Sequence, residues 1–399
     1  MAYTLNFVAE ACIAGALVGC VCTLFVSVVV LRLRPLRRTG PTSHPPITIL
    51  KPLDGAEPDL FNRLASFCTQ DYPGPIEIIC GVQASSDPAI EVVKRLQARF
   101  ADVPITIHVD AREHGYNRKV SNLINMLPLA QFETLVMCDS DVEVGPGYLA
   151  DIVATLEQPN VGAVTFLYHA VATESLPSRL AALATNTHFL PQVVAAVRLR
   201  LAQPCLGPTI AVRRKTLNEI GGMRAFTDVL AEDYAIGKAV RDAGLDVAFA
   251  SGSIGHACFA DGIRAILSRE LRLARTIKAI DPIGYAGTAI LHPFALALVG
   301  ALLGADSTGA IMAIALACRM VLCLAVQRVF RLPPQPYWLI PLYDLAAFAI
   351  YLFSFAGSRV IWRRYKYRVA SDGTLIERPT RQNDFAQPAA ETAPGAEIR

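Results

Sequence analysis

Four short stretches place acids and bases where they could do chemistry. Cys138-Asp139-Ser140-Asp141 directly follows the apolar run 134–137. Two carboxylates ending a buried strand are costly unless something compensates them. One residue apart, they can hold a divalent cation together with substrate phosphates. The competing reading is a polar turn with a helix cap, because Gly145 and Pro146 follow and so short an acidic pattern is common by chance. Val82-Gln83-Ala84-Ser85-Ser86-Asp87-Pro88 also leaves an apolar run and opens a helix. There Asp87 either caps the helix or accepts hydrogen bonds from a base at the sheet edge. Gly115-Tyr116-Asn117-Arg118-Lys119 precedes another helix, a place where phosphate is readily held, although Lys119 alone reads as a solvated charge. Ala231-Glu232-Asp233-Tyr234 opens a further helix. Either acid complements that helix dipole, which favours the ionised form.

These groups need a frame. Residues 47–50, 76–82, 105–109, 134–138 and 161–167 read as strands, and residues 59–70, 88–100, 118–129 and 148–156 as the helices between them. Strands and helices alternating at this spacing predict an α/β domain with a mostly parallel sheet and helices on both faces. Ligands bind at the carboxyl ends of such strands, which is where Asp87 and the 139–141 acids fall.

The rest of the chain is apolar. Its hydrophobic fraction is 53% and its charged fraction 18%, against about 25% charged in soluble domains, so a wholly soluble or disordered chain is excluded. With 37 basic and 34 acidic residues, a net charge of +3 gives no global reason to expect nucleic acid. Residues 11–31 carry no charge and are followed by Arg32, Arg34, Arg37 and Arg38. This predicts a spanning anchor with its N-terminus outside and residue 40 onward in the cytoplasm; a cleaved leader has the opposite polarity. Along 262–280, Arg264, Arg269, Arg272, Arg275 and Lys278 fall on one half of a helical wheel and Ile263, Ile266, Leu267, Leu273, Ala274 and Ile277 on the other. That pattern predicts a helix lying on an anionic membrane surface.

Three apolar runs follow at 285–305, 307–326 and 338–357. Three full spans would put Arg359, Arg363, Arg364, Lys366 and Arg368 outside, against the positive-inside tendency. The run broken by Gly287 and Pro293 is therefore expected to be re-entrant or interfacial, and Arg319 is expected to pair with Asp344. The ten cysteines show no zinc spacing, and half of them lie in apolar runs, as in a reduced protein. The chain thus divides into an anchor (1–40), a catalytic domain (46–260), a basic interfacial helix (262–280), membrane segments (285–360) and a polar tail (371–399) expected to be disordered.

Taken together, these residues resemble the ceramide glucosyltransferase family, built on a GT-A type glycosyltransferase domain. The landmarks are Lys51-Pro52-Leu53, Asp71-Tyr72-Pro73, Asp87-Pro88-Ala89-Ile90, Lys119 with Asn122, Cys138-Asp139-Ser140, and Glu232-Asp233-Tyr234 downstream of Gly221-Gly222. The match extends to residue 278 and resumes at Trp362 and Tyr367-Arg368. The run 115–126, followed by Asp-Ser-Asp, is most similar to the bacterial branch associated with hopanoid biosynthesis.

The resemblance implies a multi-pass enzyme of a bacterial inner membrane. It would move a hexose or N-acetylhexosamine from a UDP-sugar to the hydroxyl of a ceramide-type or hopanoid lipid, with Mg2+ or Mn2+ as cofactor. It assigns Asp87 to the uridine, Lys119 and Asp139 to the donor, Asp139 with Asp141 to the metal, and Asp233 to the general base. Arg269 and Arg272 match an Arg-x-x-Arg-Trp element whose tryptophan is Leu273 here. His188 stands where the family has a histidine on the acceptor side; a plain buried histidine is the alternative. One base and one displacement imply inversion, since retention needs a close carboxylate pair. The other classes considered are a processive polysaccharide synthase and a non-catalytic membrane scaffold; the complete set Asp87, Asp139, Asp141 and Asp233 argues against the scaffold.

Overall fold

The structure, a computed structural model, describes residues 2–33, 40–259, 262–306, 308–357, 359–362, 365–368, 370, 374 and 380–381. Arg34, Arg37, Arg38, Arg363, Arg364 and nearly all of the tail from Ser371 lie outside the described residues. In chain order come α1 (Ala2–Leu31), β1 (Ile47–Pro52), α2 (Leu60–Cys68), β2 (Ile76–Val82), α3 (Ala89–Arg99), β3 (Ile105–Val109), α4 (Arg118–Met126), β4 (Thr134–Cys138), β5 (Val142–Glu143) and α5 (Tyr148–Leu156). Then follow β6 (Val161–Ala172), α6 (Leu176–Ala184), a π turn (Thr185–Phe189), α7 (Leu190–Arg198), β7 (Thr209–Arg213), α8 (Arg214–Glu219), α9 (Glu232–Asp242) and β8 (Asp246–Cys258). Last come α10 (Ile263–Ile280), α11 (Pro282–Gly287), α12 (Pro293–Leu302), α13 (Thr308–Phe330), α14 (Ile340–Phe355), and the antiparallel pair β9 (Arg359–Trp362) and β10 (Tyr365–Arg368).

One sheet, in the order β3-β2-β1-β4-β7-β6-β8-β5, carries the site. β1 shows why: Ile47 and Ile49 enter the core on one face and Leu50 the core on the other. A strand covered on both sides must read as a near-continuous apolar run. The pairings of β1 with β2 and β4, β2 with β3, and β6 with β8 are parallel. β7 enters antiparallel between β4 and β6. The sequence reading has neither β7 nor β8, and it ends β6 five residues early. The middle of β8, Ser251-Gly252-Ser253-Ile254-Gly255, lacks the apolar run that marked the central strands.

Among the described residues, four helical segments are long and apolar enough to cross a membrane: Tyr3–Leu31, Leu176–Arg198, Thr308–Phe330 and Tyr337–Phe355. The second, formed by α6, the π turn and α7, is absent from the sequence reading because its apolar residues are interrupted by Arg179, Asn186 and His188. The segments Pro282–Leu291 and Pro293–Leu302 are bent by 73°, which places the expected break of the 285–305 run at His292. α1 packs here so closely that a Cβ on Gly19 would collide with the Ile290 carbonyl oxygen. Arg319 and Asp344 do pair, Nη2 to Oδ1 at 2.9 Å, both almost fully buried. Arg319 Nη1 also donates to the Thr187 carbonyl at 2.7 Å, supplying a partner within the π turn, where the regular helical ladder is interrupted.

The basic half of α10 turns inward. Arg269 and Arg272 face the cavity described below. Arg275 Nη1 donates to the Arg359 carbonyl, and Lys278 Nζ donates to the carbonyls of Ser354 (2.6 Å) and Gly357 (3.2 Å). Cations at the end of α14 satisfy carbonyls that have no helical partner. The wheel had assigned these charges to lipid headgroups; instead two of the five line the cavity and two more meet backbone carbonyls. On the apolar half, Ile266 is buried against Ala170, Ala181 and Cys258, while Ile263, Leu267 and Ile277 remain exposed. All ten cysteines are free thiols.

Candidate active site

The carboxyl ends of β1, β2 and β4 lie side by side, and the chain leaving them encloses a cavity of about 420 Å3. Leu53 follows β1, Gln83 follows β2, and Asp139 and Asp141 follow β4. α4 adds Lys119 and Asn122, α9 adds Glu232 and Asp233, β8 adds His256, and α10 adds Arg269 and Arg272. Asn117 fastens two of these elements. Its side-chain oxygen caps α4 by accepting the Val120 N–H, while Nδ2 donates to the Val229 carbonyl and to Glu232 Oε2 at 3.1 Å.

Lys119 Nζ lies 2.6 Å from Asp139 Oδ1 and 2.9 Å from Glu232 Oε1. Beneath it, the fully buried Lys51 donates to the Asp139 carbonyl and stands 4.0 Å over the Phe67 ring. Asp141 Oδ2 meets His256 Nε2 at 3.2 Å. That contact follows from strand register, since β5 pairs Val142 with His256 and the Asp141 carbonyl accepts the Ala257 N–H. Gly207 lies against Asp233: a Cβ there would stand 3.0 Å from Oδ2.

Burial and pairing set the protonation states. Burial pushes Asp139 up, with Lys119 opposing and Asp141 reinforcing the rise. Burial also works against charge on Asp141 and His256, but each overcomes it by pairing with the other. Asp141 falls to about 2 and His256 rises to about 10. Burial would lower Lys119, yet Asp139 and Glu232 hold it well above its ordinary value, and Lys119 in turn holds Glu232 below its own. Asp233 differs. Burial, then the neighbouring Glu232 charge, raise it to about 6. The helix dipole had predicted a lowered value; desolvation outweighs it.

Of the residues singled out in the sequence, Lys119, Asp139, Asp141, Asp233, Arg269 and Arg272 meet at this one cavity. Asp87 does not line it. Its carboxylate accepts the N–H of Ala89 (2.8 Å) and of Gly55 (3.1 Å), so it caps α3 and ties down the loop after β1. His188 lies in a second cavity of about 250 Å3, bounded by the π turn, α10, α11 and α14. There it stacks on His292 at 5.3 Å and meets Tyr343 edge-on. Tyr168, Arg269 and Leu273 line both cavities, so Leu273 stands at their junction. Sequence reasoning missed His256, which sits in a run with no metal spacing. It also gave Lys51 no role beyond a family landmark, although a lysine inside an apolar strand was a visible signal.

Gln83 Nε2, Asn122 Oδ1 and Asp141 Oδ1 are buried in the cavity wall without a hydrogen-bond partner among the described residues. Buried polar atoms are nearly always paired, so this wall is built to meet a polar ligand. Among the described residues no three His, Cys, Asp or Glu side chains form a closed metal cage. Two carboxylates with a spare oxygen instead suit Mg2+ or Mn2+, which keep positions for phosphate and water.

The pattern of Glycosyl transferase family 21 matches residues 11–375. Ceramide glucosyltransferase 1 of Caenorhabditis elegans is 26% identical over 254 residues, 59% of this chain and 52% of that protein. A ceramide glucosyltransferase of Komagataella phaffii is 34% identical over 122 residues, 28% of this chain and 23% of that protein. The chain spans about half the length of the first curated relatives it matches. Among solved structures, a mannosyltransferase from Pyrobaculum calidifontis in complex with GDP-Man and Mn2+ superposes with a TM-score of 0.57 at 20% identity, covering 88% of this chain and 99% of that one. The two share a fold.

Proposed function

The chain belongs to glycosyl transferase family 21, and on that premise we propose that it moves a hexose or N-acetylhexosamine from a UDP-sugar to the hydroxyl of a ceramide-type or hopanoid membrane lipid. The observation that carries this reading is Asp233. Unlike Asp139, Asp141 and Glu232, it has no ion-pair partner among the described residues. It is raised to about 6, near the value that suits a general base at neutral pH. It faces a cavity rich in cations, and that cavity adjoins a second one set among apolar helices.

In this reading the diphosphate of the donor lies against Lys119, Arg269 and Arg272, whose charges oppose the negative charge that develops as it leaves. Gln83 and Asn122 offer their unpaired atoms to the donor, and Asp87 holds the loop that walls it. Asp139 and Asp141 would hold a divalent cation, which when bound acts as a Lewis acid on the leaving diphosphate. The lipid hydroxyl enters from the His188 side past Leu273. Asp233 accepts its proton as the oxygen bonds to the anomeric carbon and the bond to the diphosphate breaks. A single displacement inverts that carbon. The domain over residues 46–260 would work on the cytoplasmic side of a bacterial inner membrane.

The test is to incubate the full-length protein in nanodiscs with a panel of UDP-sugars and total lipid. Mass spectrometry identifies the product and NMR its anomeric configuration. One sugar per lipid with inverted configuration is expected; a polymer, hydrolysis alone or a retained configuration would sink the reading.

A further inference from the structure

The ends of α1, α7 and α13 meet beside β6 and β8. Leu33, Val197 and Phe330 from the helix ends, with Leu167, Phe249 and Ser253 from the strands, line a cavity of about 580 Å3. It shares no lining residue with the two cavities described above. Its lining is mostly apolar, Arg198, Arg200 and Arg331 add positive charge, and no acidic side chain lines it among the described residues.

Two of these arginines hold a backbone conformation that side chains avoid. Arg200 has φ 57° and Arg331 φ 53°. Each stands just past a helix end: the Leu201 N–H returns to the Ala196 carbonyl (2.9 Å), and the Leu332 N–H returns to the Gln327 carbonyl (3.0 Å). Glycine is the usual occupant of that closing position, because a Cβ is strained there. Strain kept at two separate helix ends that open on one cavity points to use rather than accident. Three helix C-termini would by themselves repel an anion; the arginines reverse that sign. α1 and α13 are both long enough to cross a membrane and both end here, which puts the cavity at headgroup level.

We propose that this cavity binds an anionic glycerophospholipid, its headgroup phosphate on Arg200 and Arg331 and one acyl chain along Leu33, Val197 and Phe330. The size of the cavity, its apolar lining and its positive charge each match one part of such a lipid.

Full-length protein is reconstituted with equal amounts of phosphatidylglycerol and phosphatidylcholine, returned to neutral detergent, and its retained lipid counted by native mass spectrometry. Phosphatidylglycerol should be retained in preference. In Arg200→Gly/Arg331→Gly its affinity should fall about thirtyfold, the effect of two lost interfacial charges. That variant should melt no lower than the parent, since glycine relieves both turns. Val197→Phe fills the apolar lining, leaves every charge, and should also expel the lipid. Equal retention of phosphatidylcholine, or undiminished phosphatidylglycerol on the double glycine variant, overturns the proposal. So does competition by inorganic phosphate alone with Val197→Phe still binding, which would make this a free-anion site. The preference of the unaltered protein is decisive even if a variant fails to fold, and no readout depends on sugar transfer.

Discussion

Replacing Glu232 with glutamine should move the acid limb of the pH–rate profile, and what surrounds Asp233 sets the size of that movement. Burial, and after it the Glu232 carboxylate, hold Asp233 at about 6 against an ordinary 3.8. The base works only when ionised, so kcat/KM rises with pH and levels off above that value. About a tenth of the enzyme carries an ionised Asp233 at pH 5 and about nine tenths at pH 7, a tenfold difference in kcat/KM. A carboxylate left at 3.8 would be almost fully ionised at both, and the profile between them would be flat. Glu232→Gln removes the like charge but not the burial, so the limb should move toward lower pH by about one unit or less. Lys119, released from Glu232, acts in the same direction. Asp233→Asn keeps shape but cannot take a proton; turnover should fall about a hundredfold or more, with donor affinity by calorimetry nearly unchanged. The assay is initial rate against pH for the three proteins at saturating Mn2+. A flat profile between pH 5 and pH 7, or near-normal turnover of Asp233→Asn, refutes Asp233 as the base and makes Glu232 the next candidate.

Asp141→Asn should raise the Mn2+ concentration needed for half-maximal rate by about tenfold or more, read from a metal titration of activity; full activity in excess chelator would remove the cation from the mechanism. Arg319→Met leaves Asp344 buried and unpaired, and should destabilise the protein by about 3–5 kcal/mol, seen as a lower melting temperature in detergent. Arg319→Met/Asp344→Leu should recover most of that loss; both variants lose the contact to the Thr187 carbonyl beside His188, so both should show a raised KM for lipid. If the single and double variants melt alike, the pair is not coupled.

Periodicity and length sufficed for much of this protein. Strands β2 and β4 fall where an apolar run between turn residues must fall, because a strand covered on both faces has no other composition; the half-exposed edge strand β3 and helix α5 also fall where they were expected. The acids 139–141 were legible because carboxylates ending an apolar strand are exposed to the sheet edge in any α/β arrangement. Arg319 and Asp344 were legible because charges in apolar helices have few partners.

Other properties arise from distant parts of the chain meeting. His256 reaches Asp141 through the register of β5 on β8, a pairing that no local pattern encodes. The wheel of α10 separates charge from grease correctly, yet the assembled fold, not the wheel, turns Arg269 and Arg272 into the cavity and Lys278 onto the end of α14. Asp233 is the clearest case. Its place at the start of α9 is local and argues for a lowered pKa, but its burial depends on the surrounding fold, including Gly207 and the adjoining strands. Desolvation belongs to the whole fold and here exceeds the dipole of one helix, so the protonation of the proposed base was set only when the chain closed around it.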